Sequence, residues 1–179
     1  MAAASRRRAT ALAGAPRSRF DLHYTKAQSP ERAPRPLFDA GREGGAHAGR
    51  ARRIARALAA HDGSRPLSLK KKAVAHQVPK FGDARRSDAK VDISDLVHIL
   101  EIDPVARTCT AESGVTFCDL VDATMKHGLV PIIVPELKTI TIGGAVTGCS
   151  LESMSFRYGG FHDTCLEYEV VSTDGEVLK

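Results

Sequence analysis

The sequence contains no tryptophan, and aromatic residues make up only 5% of its 179 positions. A core must therefore be built from Val, Ile, Leu and Ala, which the 42% hydrophobic content can supply. No apolar run approaches the roughly 18 residues that a membrane-spanning helix requires, so no transmembrane segment is expected in this chain. The four cysteines, at positions 109, 118, 149 and 165, form no C-x-x-C pair and have no histidine cluster at zinc spacing. A structural metal is therefore not expected, and the cysteines read as reduced intracellular thiols. Neither G-x-G-x-x-G after a strand nor G-x-x-x-x-G-K-[ST] is present, which sets aside the Rossmann and P-loop readings.

Charge is unevenly placed. Residues 1–66 hold 14 Lys/Arg against 5 Asp/Glu, whereas residues 67–179 hold 12 against 16. The net +5 thus belongs to the leader. Nucleic-acid binding is not expected, because the basic stretch has no interleaved aromatics and no recognition motif follows it. Residues 1–46, rich in Ala, Arg, Pro and Gly, show no sustained hydrophobic period and read as a disordered basic leader. Arg6, Arg7, Arg8, Arg17 and Arg19 precede the first acid, Asp21, as in an organellar transit peptide. A plain disordered leader or a mis-assigned start codon fits equally well. The location is intracellular, cytoplasmic or organellar.

Beyond the leader, Ala51, Ile54, Ala55 and Leu58 repeat at helical spacing and predict an amphipathic helix over 46–60, ending near His61–Gly63. Residues 67–78 suit a strand with a basic centre, and 80–92 read as a polar loop. Two short strands follow, 97–102 and 108–115, joined by a turn at Asp103-Pro104. Thr116 caps the clearest helix, with Asp119 three positions on and Phe117, Leu120, Val121, Thr124 and Met125 on one face. Gly128 stands where a left-handed C-terminal cap belongs. Residues 129–134 suit a buried strand between Pro131 and Pro135. Residues 166–171 and 176–178 flank Ser-Thr-Asp-Gly, a hairpin signal. The chain ends at Lys179 within this strand pattern, which reads as a truncated domain.

The segment carrying chemistry is 135–160, where glycines, threonines and serines cluster between Thr139 and Ser155. Glycine permits close approach of backbone to a ligand. Rows of backbone N–H groups with hydroxyls beside them can cradle a pyrophosphate. On composition alone, a tightly packed turn is an equal reading.

The run Leu129–Gly144 (Leu-Val-Pro-Ile-Ile-Val-Pro-Glu-Leu-Lys-Thr-Ile-Thr-Ile-Gly-Gly) is followed by Gly148, Glu152-Ser153, Ser155, Tyr158-Gly159 and the strand and turn Glu169–Gly175. Together these resemble the Δ24-sterol reductase (Diminuto) group of FAD-linked oxidoreductases, which share the vanillyl-alcohol-oxidase or p-cresol-methylhydroxylase fold. Upstream, Ile99–Asp103 and Glu112–Leu120 fit the preceding strands and helix of that family. The resemblance covers about 47–179 and is strongest from 97 onward.

The resemblance implies an α+β, p-cresol-methylhydroxylase-like FAD-binding domain, here incomplete. Residues 1–46 form its leader, 47–130 a first subdomain and 131–179 the start of a second. It assigns Pro135, Glu136, Thr139, Thr141, Ile142, Gly143, Gly144, Gly148, Glu152, Ser153 and Ser155 as cofactor contacts. Glu136 and Glu152 also read as turn or cap carboxylates, and Tyr158 as packing. Many relatives carry an early Gly-rich loop with a flavin-linked histidine. The matching stretch Ser68–Lys80 has His76 but no glycine, so noncovalent FAD is implied. The implied reaction is reduction of a carbon–carbon double bond in a small molecule, a sterol in the nearest branch, with NADPH as the reductant. A different flavin-linked oxidase or dehydrogenase of the same fold, or a noncatalytic fragment, is the alternative. Membrane association of the whole protein is left open. No catalytic residue is assigned, because the substrate pocket lies outside this stretch.

Overall fold

The computed structural model describes residues 18–24, 40–72 and 82–179. Helix α1 (Ala40–Ala59) leads into strand β2 (Leu67–Lys70), which pairs in parallel with β3 (Ala89–Asp92). Strands β4 (Ile99–Asp103) and β5 (Thr108–Ala111) form an antiparallel pair around the Asp103-Pro104 turn, in which the Asp103 carboxylate accepts from the N–H groups of Val105 and Ala106. A mixed helix-and-sheet architecture results, as the α+β expectation required.

The structure departs from the sequence reading in several places: the expected strands 108–115 and 129–134 end at Ala111 and Pro131, and two larger features differ. The leader expected to lack structure contributes β1 (Ser18–Tyr24), which pairs antiparallel with β5, with β6 (Leu129–Pro131) and with β7 (Cys165–Glu167). Its sequence alternates Phe20, Leu22 and Tyr24 with Arg19, Asp21 and His23, a strand period masked by its basic surroundings. The leader's last residues also enter α1, whose start is Ala40. The rest of the leader, 1–17 and 25–39, lies outside the described residues. The second departure is β3, which occupies part of the expected polar loop. Val91 is buried there against α1 and supplies the reason. The expected continuation of β2 through 73–78 lies outside the described residues.

The five-stranded sheet carries α2 (Phe117–Met125) on its core side. Thr116 caps this helix as expected. Its Oγ1 accepts from the Asp119 N–H at 3.1 Å and donates to the Asp119 carboxylate at 2.6 Å. Phe117, Leu120 and Thr124 are buried, but Met125 is half exposed, so the apolar stripe is one position shorter than its sequence suggested. Gly128 has φ +68, the left-handed geometry that glycine adopts without a Cβ penalty.

The aliphatic core (Val115, Leu120, Leu129, Ile133, Ile142, Ala145) closes around two phenylalanines. Phe117 and Phe161 meet edge to face, centroids 4.9 Å apart and planes at 76°, a favoured quadrupole arrangement. The sequence expectation of a purely aliphatic core is thus modified at its centre.

Strands β8 (Val170–Val171) and β9 (Val177–Leu178) form the expected hairpin, but the expected strand 166–171 is broken, its first part belonging to β7, which pairs with β1. Its turn residue Gly175, at φ +83, rests on α1, and a Cβ there would lie 2.7 Å from the Ala55 carbonyl and 2.8 Å from the Ala59 methyl. The small residues on both sides bring the hairpin and α1 into direct contact.

Candidate functional site

A short helix, α3 (Ile142–Thr147), begins inside the small-residue segment, with Thr141 as its cap. The chain on either side of that cap is laced to the turn after β5. Phe117 N–H donates to Ile140 O at 3.0 Å, Ile142 N–H to Val115 O at 2.9 Å and Gly143 N–H to Ser113 O at 2.8 Å. Gly143 is required by this approach, because a Cβ would stand 2.8 Å from the Ser113 Cβ. Gly114 is equally crowded, with the Leu96 carbonyl 2.4 Å from a would-be Cβ. Gly144 differs. Outside its own helical turn a Cβ would meet only the Thr141 hydroxyl, at 3.2 Å.

Beside Gly144 lies a groove of about 160 Å³. It is lined by Thr141, Gly143, Gly144 and Thr147, by the apolar Leu69, Ile93 and Val97, and by Lys71 and Lys72. The Thr141 hydroxyl and the two lysines are the polar side chains it offers a phosphate-bearing ligand, and its volume suits one portion of a dinucleotide rather than the whole.

The expected row of free amides is not what the segment offers here. The first N–H groups of α3 are already engaged: Ile142 with Val115, Gly143 with Ser113, and Gly144 with the Thr141 hydroxyl at 3.2 Å. Folding this segment onto the core consumes those donors.

Of the residues assigned from sequence, Thr141, Gly143 and Gly144 line the groove together. Ile142 is in the hydrophobic core and Pro135 is buried. Glu136, Thr139, Gly148 and Ser153 are exposed. Gly148 donates to the Gly144 carbonyl at 2.8 Å. Ser155 and Glu152 close a local turn: the Ser155 hydroxyl accepts from the Glu152 N–H, and the Ser155 N–H donates to the Glu152 carbonyl, both at 2.8 Å. Tyr158 packs against the core, as its packing reading expected.

Sequence reasoning missed a buried ionic knot. The Glu112 carboxylate, with no exposed side-chain surface, accepts from Arg50 Nε at 2.7 Å and pairs with His47 Nδ1 at 2.6 Å through Oε1. Its Oε2 accepts from the His98 N–H at 2.9 Å and pairs with His98 Nδ1 at 2.8 Å. The other His47 nitrogen, Nε2, lies 3.4 Å from Glu169. Burial alone would lower the His47 pKa, but hydrogen bonds and charge from Glu112 and Glu169 outweigh it and raise the value to about 9. Burial would likewise raise Glu112, yet its bonds from His47, His98 and Arg50 hold it at about 2. The only signal in the sequence is a single acid following the Thr-Cys-Thr-Ala of a strand. Glu112 is shut from solvent and ties together α1, the approach to β4, β5 and the lead-in to β8; its role is positional.

Among the described residues no group of three or more metal-ligating side chains comes together. All four cysteines are free thiols. Burial pushes Cys109 up to about 12 and Cys165 to about 11, so neither is a ready nucleophile. No described helix is long and apolar enough to cross a membrane.

Residues 75–179 match the FAD binding domain family. The chain is 39% identical over 98 residues to the Delta(24)-sterol reductase homolog dhcr-24 of Caenorhabditis elegans, covering 55% of this chain and 19% of that protein. It is 33% identical over 100 residues to the Delta(24)-sterol reductase of Homo sapiens, covering 56% and 19%. A decaprenylphosphoryl-beta-D-ribose oxidase of Mycolicibacterium smegmatis is 30% identical over 88 residues, covering 49% and 19%. The matched stretch thus spans about a fifth of these relatives' length.

Proposed function

The chain belongs to the FAD binding domain family, a family of FAD-dependent oxidoreductases, and we propose that it forms the phosphate-holding part of a flavin site in an enzyme that reduces a carbon–carbon double bond of a sterol. The observation that carries the reading is the face of Gly144, open beside the Thr141 hydroxyl and turned to a groove with two lysines. Thr141, Gly143 and Gly144 would hold the cofactor by close backbone approach and by the Thr141 hydroxyl, which accepts from the Gly144 N–H and keeps its own proton to donate. Bound FAD supplies hydride exchange. The residues of this chain bind and orient it, while the Glu112 knot keeps α1 and the β5 turn in fixed relation. Sterol reduction draws its support from the likeness to the sterol reductases. NADPH as reductant and noncovalent attachment are parts of the same proposal, the latter from the glycine-free stretch Ser68–Lys80.

The likeness to the Mycolicibacterium smegmatis oxidase favours a second reading, an oxidase of another substrate on the same cofactor site. One experiment separates them. The full-length protein is purified, its flavin bands recorded, and the cofactor released by denaturation. The protein is then supplied with NADPH and a Δ24-unsaturated sterol, and products are analysed by mass. Released FAD with a sterol gaining two hydrogens supports the first reading. FAD with no sterol turnover supports the second. A colourless folded protein that takes up no added FAD overturns both.

A further inference from the structure

A second cavity, of about 210 Å³, is lined by residues of α1, β2, β3, β5 and β8. It shares Leu69, Ile93 and Ser113 with the groove of Thr141 and Gly144 and is otherwise built from different residues. From α1 come Ala51, Ile54 and Leu58, whose spacing of three and four puts them on one helix face. Val91 of β3 and Val171 of β8 add to this apolar lining.

Two carboxylates belong to the same cavity, and they differ. Each oxygen of Glu112 already has two nitrogen partners, His47 and Arg50 at Oε1 and the backbone and ring of His98 at Oε2. The Glu169 side chain is only 9% exposed, and its Oε1 lies 3.4 Å from His47 Nε2. Its Oε2 is buried and has no hydrogen-bond partner among the described residues. A carboxylate oxygen shut from water without a donor is costly. The cavity that Glu169 lines is the space from which a donor can reach it.

Charge decides the kind of donor. Glu112 and Glu169 are met by Arg50 and by His47, which the two carboxylates hold protonated. Two anions and two cations balance, so no net negative charge remains to offset the desolvation of an ammonium. A neutral hydroxyl donates without that cost, and the apolar lining suits a hydrocarbon body. A cavity of about 150 Å³ holds a benzene ring, so 210 Å³ takes one saturated ring with its hydroxyl and is too small for the four rings of a sterol.

We propose that this cavity binds a small neutral alcohol with a one-ring apolar body, its hydroxyl donating to Glu169 Oε2 and its ring lying against Ala51, Ile54 and Leu58. The assignment stands independently of the flavin reading.

The test is methyl NMR of the full-length protein, titrated at neutral pH with cyclohexanol, cyclohexyl methyl ether and cyclohexylamine. Cyclohexanol should shift the methyl signals of Ile54, Leu58 and Val91 saturably. The ether accepts but cannot donate, so it should bind about tenfold or more weakly, as loss of a hydrogen bond to a charged group implies. The charged amine should do no better than the ether. In Glu169→Gln the amide oxygen stays with protonated His47, which leaves the NH2 at the position of Oε2, a donor in place of an acceptor. The preference for alcohol over ether should therefore disappear in that variant. Equal affinity for alcohol and ether in wild type overturns the proposal, as does an undiminished preference in E169Q. If E169Q does not fold, the wild-type comparison of alcohol and ether decides alone. Shifts confined to methyl groups elsewhere, or none up to the solubility of cyclohexanol, mean that water alone serves Glu169 and overturn the proposal as well. No arm of the experiment uses FAD, so any of these failures leaves the flavin reading in place.

Discussion

His47 of α1 and Glu112 at the end of β5 stand 65 positions apart in sequence and meet at 2.6 Å with both side chains buried. The pair joins the amino-terminal helix to the strand whose following turn builds one wall of the groove. Because Arg50 and His98 also converge on that carboxylate, the site depends on a charge that no ligand touches.

Replacing Glu112 with alanine removes the acceptor shared by Arg50, His47 and His98, and leaves Arg50 without its counter-charge and His47 with Glu169 alone. Breaking a buried pair from one side costs about 3–5 kcal/mol. Urea unfolding of Glu112→Ala should show a loss of that size. A midpoint within experimental error of wild type would sink the assignment of the knot as a structural clamp.

The same contact gives stability a defined pH profile. His47 is raised from its ordinary 6.5 to about 9. Its contribution is complete below about 6.5 and is lost as pH rises through about 9. Glu112 is lowered from 4.5 to about 2. Its contribution is complete above about 4.5 and is lost as pH falls through about 2. Thermal unfolding midpoints should form a plateau between those limits and fall on either side. In His47→Gln the alkaline fall should flatten; an alkaline limb unchanged in that variant refutes the assignment.

The two adjacent glycines of α3 should separate packing from binding. Gly143→Ala drives a Cβ to 2.8 Å from the Ser113 Cβ, so it should destabilise by about 1–3 kcal/mol, the usual cost of overpacking. Gly144→Ala brings a methyl to 3.2 Å from the Thr141 hydroxyl, a tight contact with a side-chain atom rather than backbone, and should alter stability by less than about 1 kcal/mol, since alanine favours helix. It should nonetheless weaken FAD binding by narrowing the groove. Calorimetric melting and flavin titration of both variants read the two effects independently. Equal FAD affinity for Gly144→Ala and wild type counts against the groove as the cofactor site.

Phe161→Ala removes half of the edge-to-face pair from a fully buried position. A loss of about 3–5 kcal/mol is expected for such a truncation. Phe156→Ala, at a side chain that is 85% exposed, should change stability by no more than about 0.5 kcal/mol. Denaturant curves on the two variants check the contrast. Similar losses in both would mean that the core is centred elsewhere.

Much of the architecture was legible in local pattern. The Thr116 cap, the apolar face at Phe117, Leu120 and Thr124, the Asp103-Pro104 turn and the 170–178 hairpin each rest on interactions within a few residues, so spacing reveals them. The β1 strand was obscured because its alternation spans only seven residues amid arginines and prolines. The commitment of the Gly143 and Gly144 amides was not legible either, because glycines free to face a ligand and glycines pressed against backbone share one letter.

The sequence by itself determined the helix caps, the turn positions, the aliphatic character of the core and, through the 129–175 motifs, the family. Only the tertiary structure decided that Glu112 is the buried knot, that Gly143 is held by Ser113 while Gly144 stays open, and that Lys71 and Lys72 share a groove from which Lys70 is diverted by Asp92. The physical reason is range. Caps and turns are fixed by torsions and hydrogen bonds between neighbours, whereas burial of a charge and use of an amide donor depend on which distant strand folds against it.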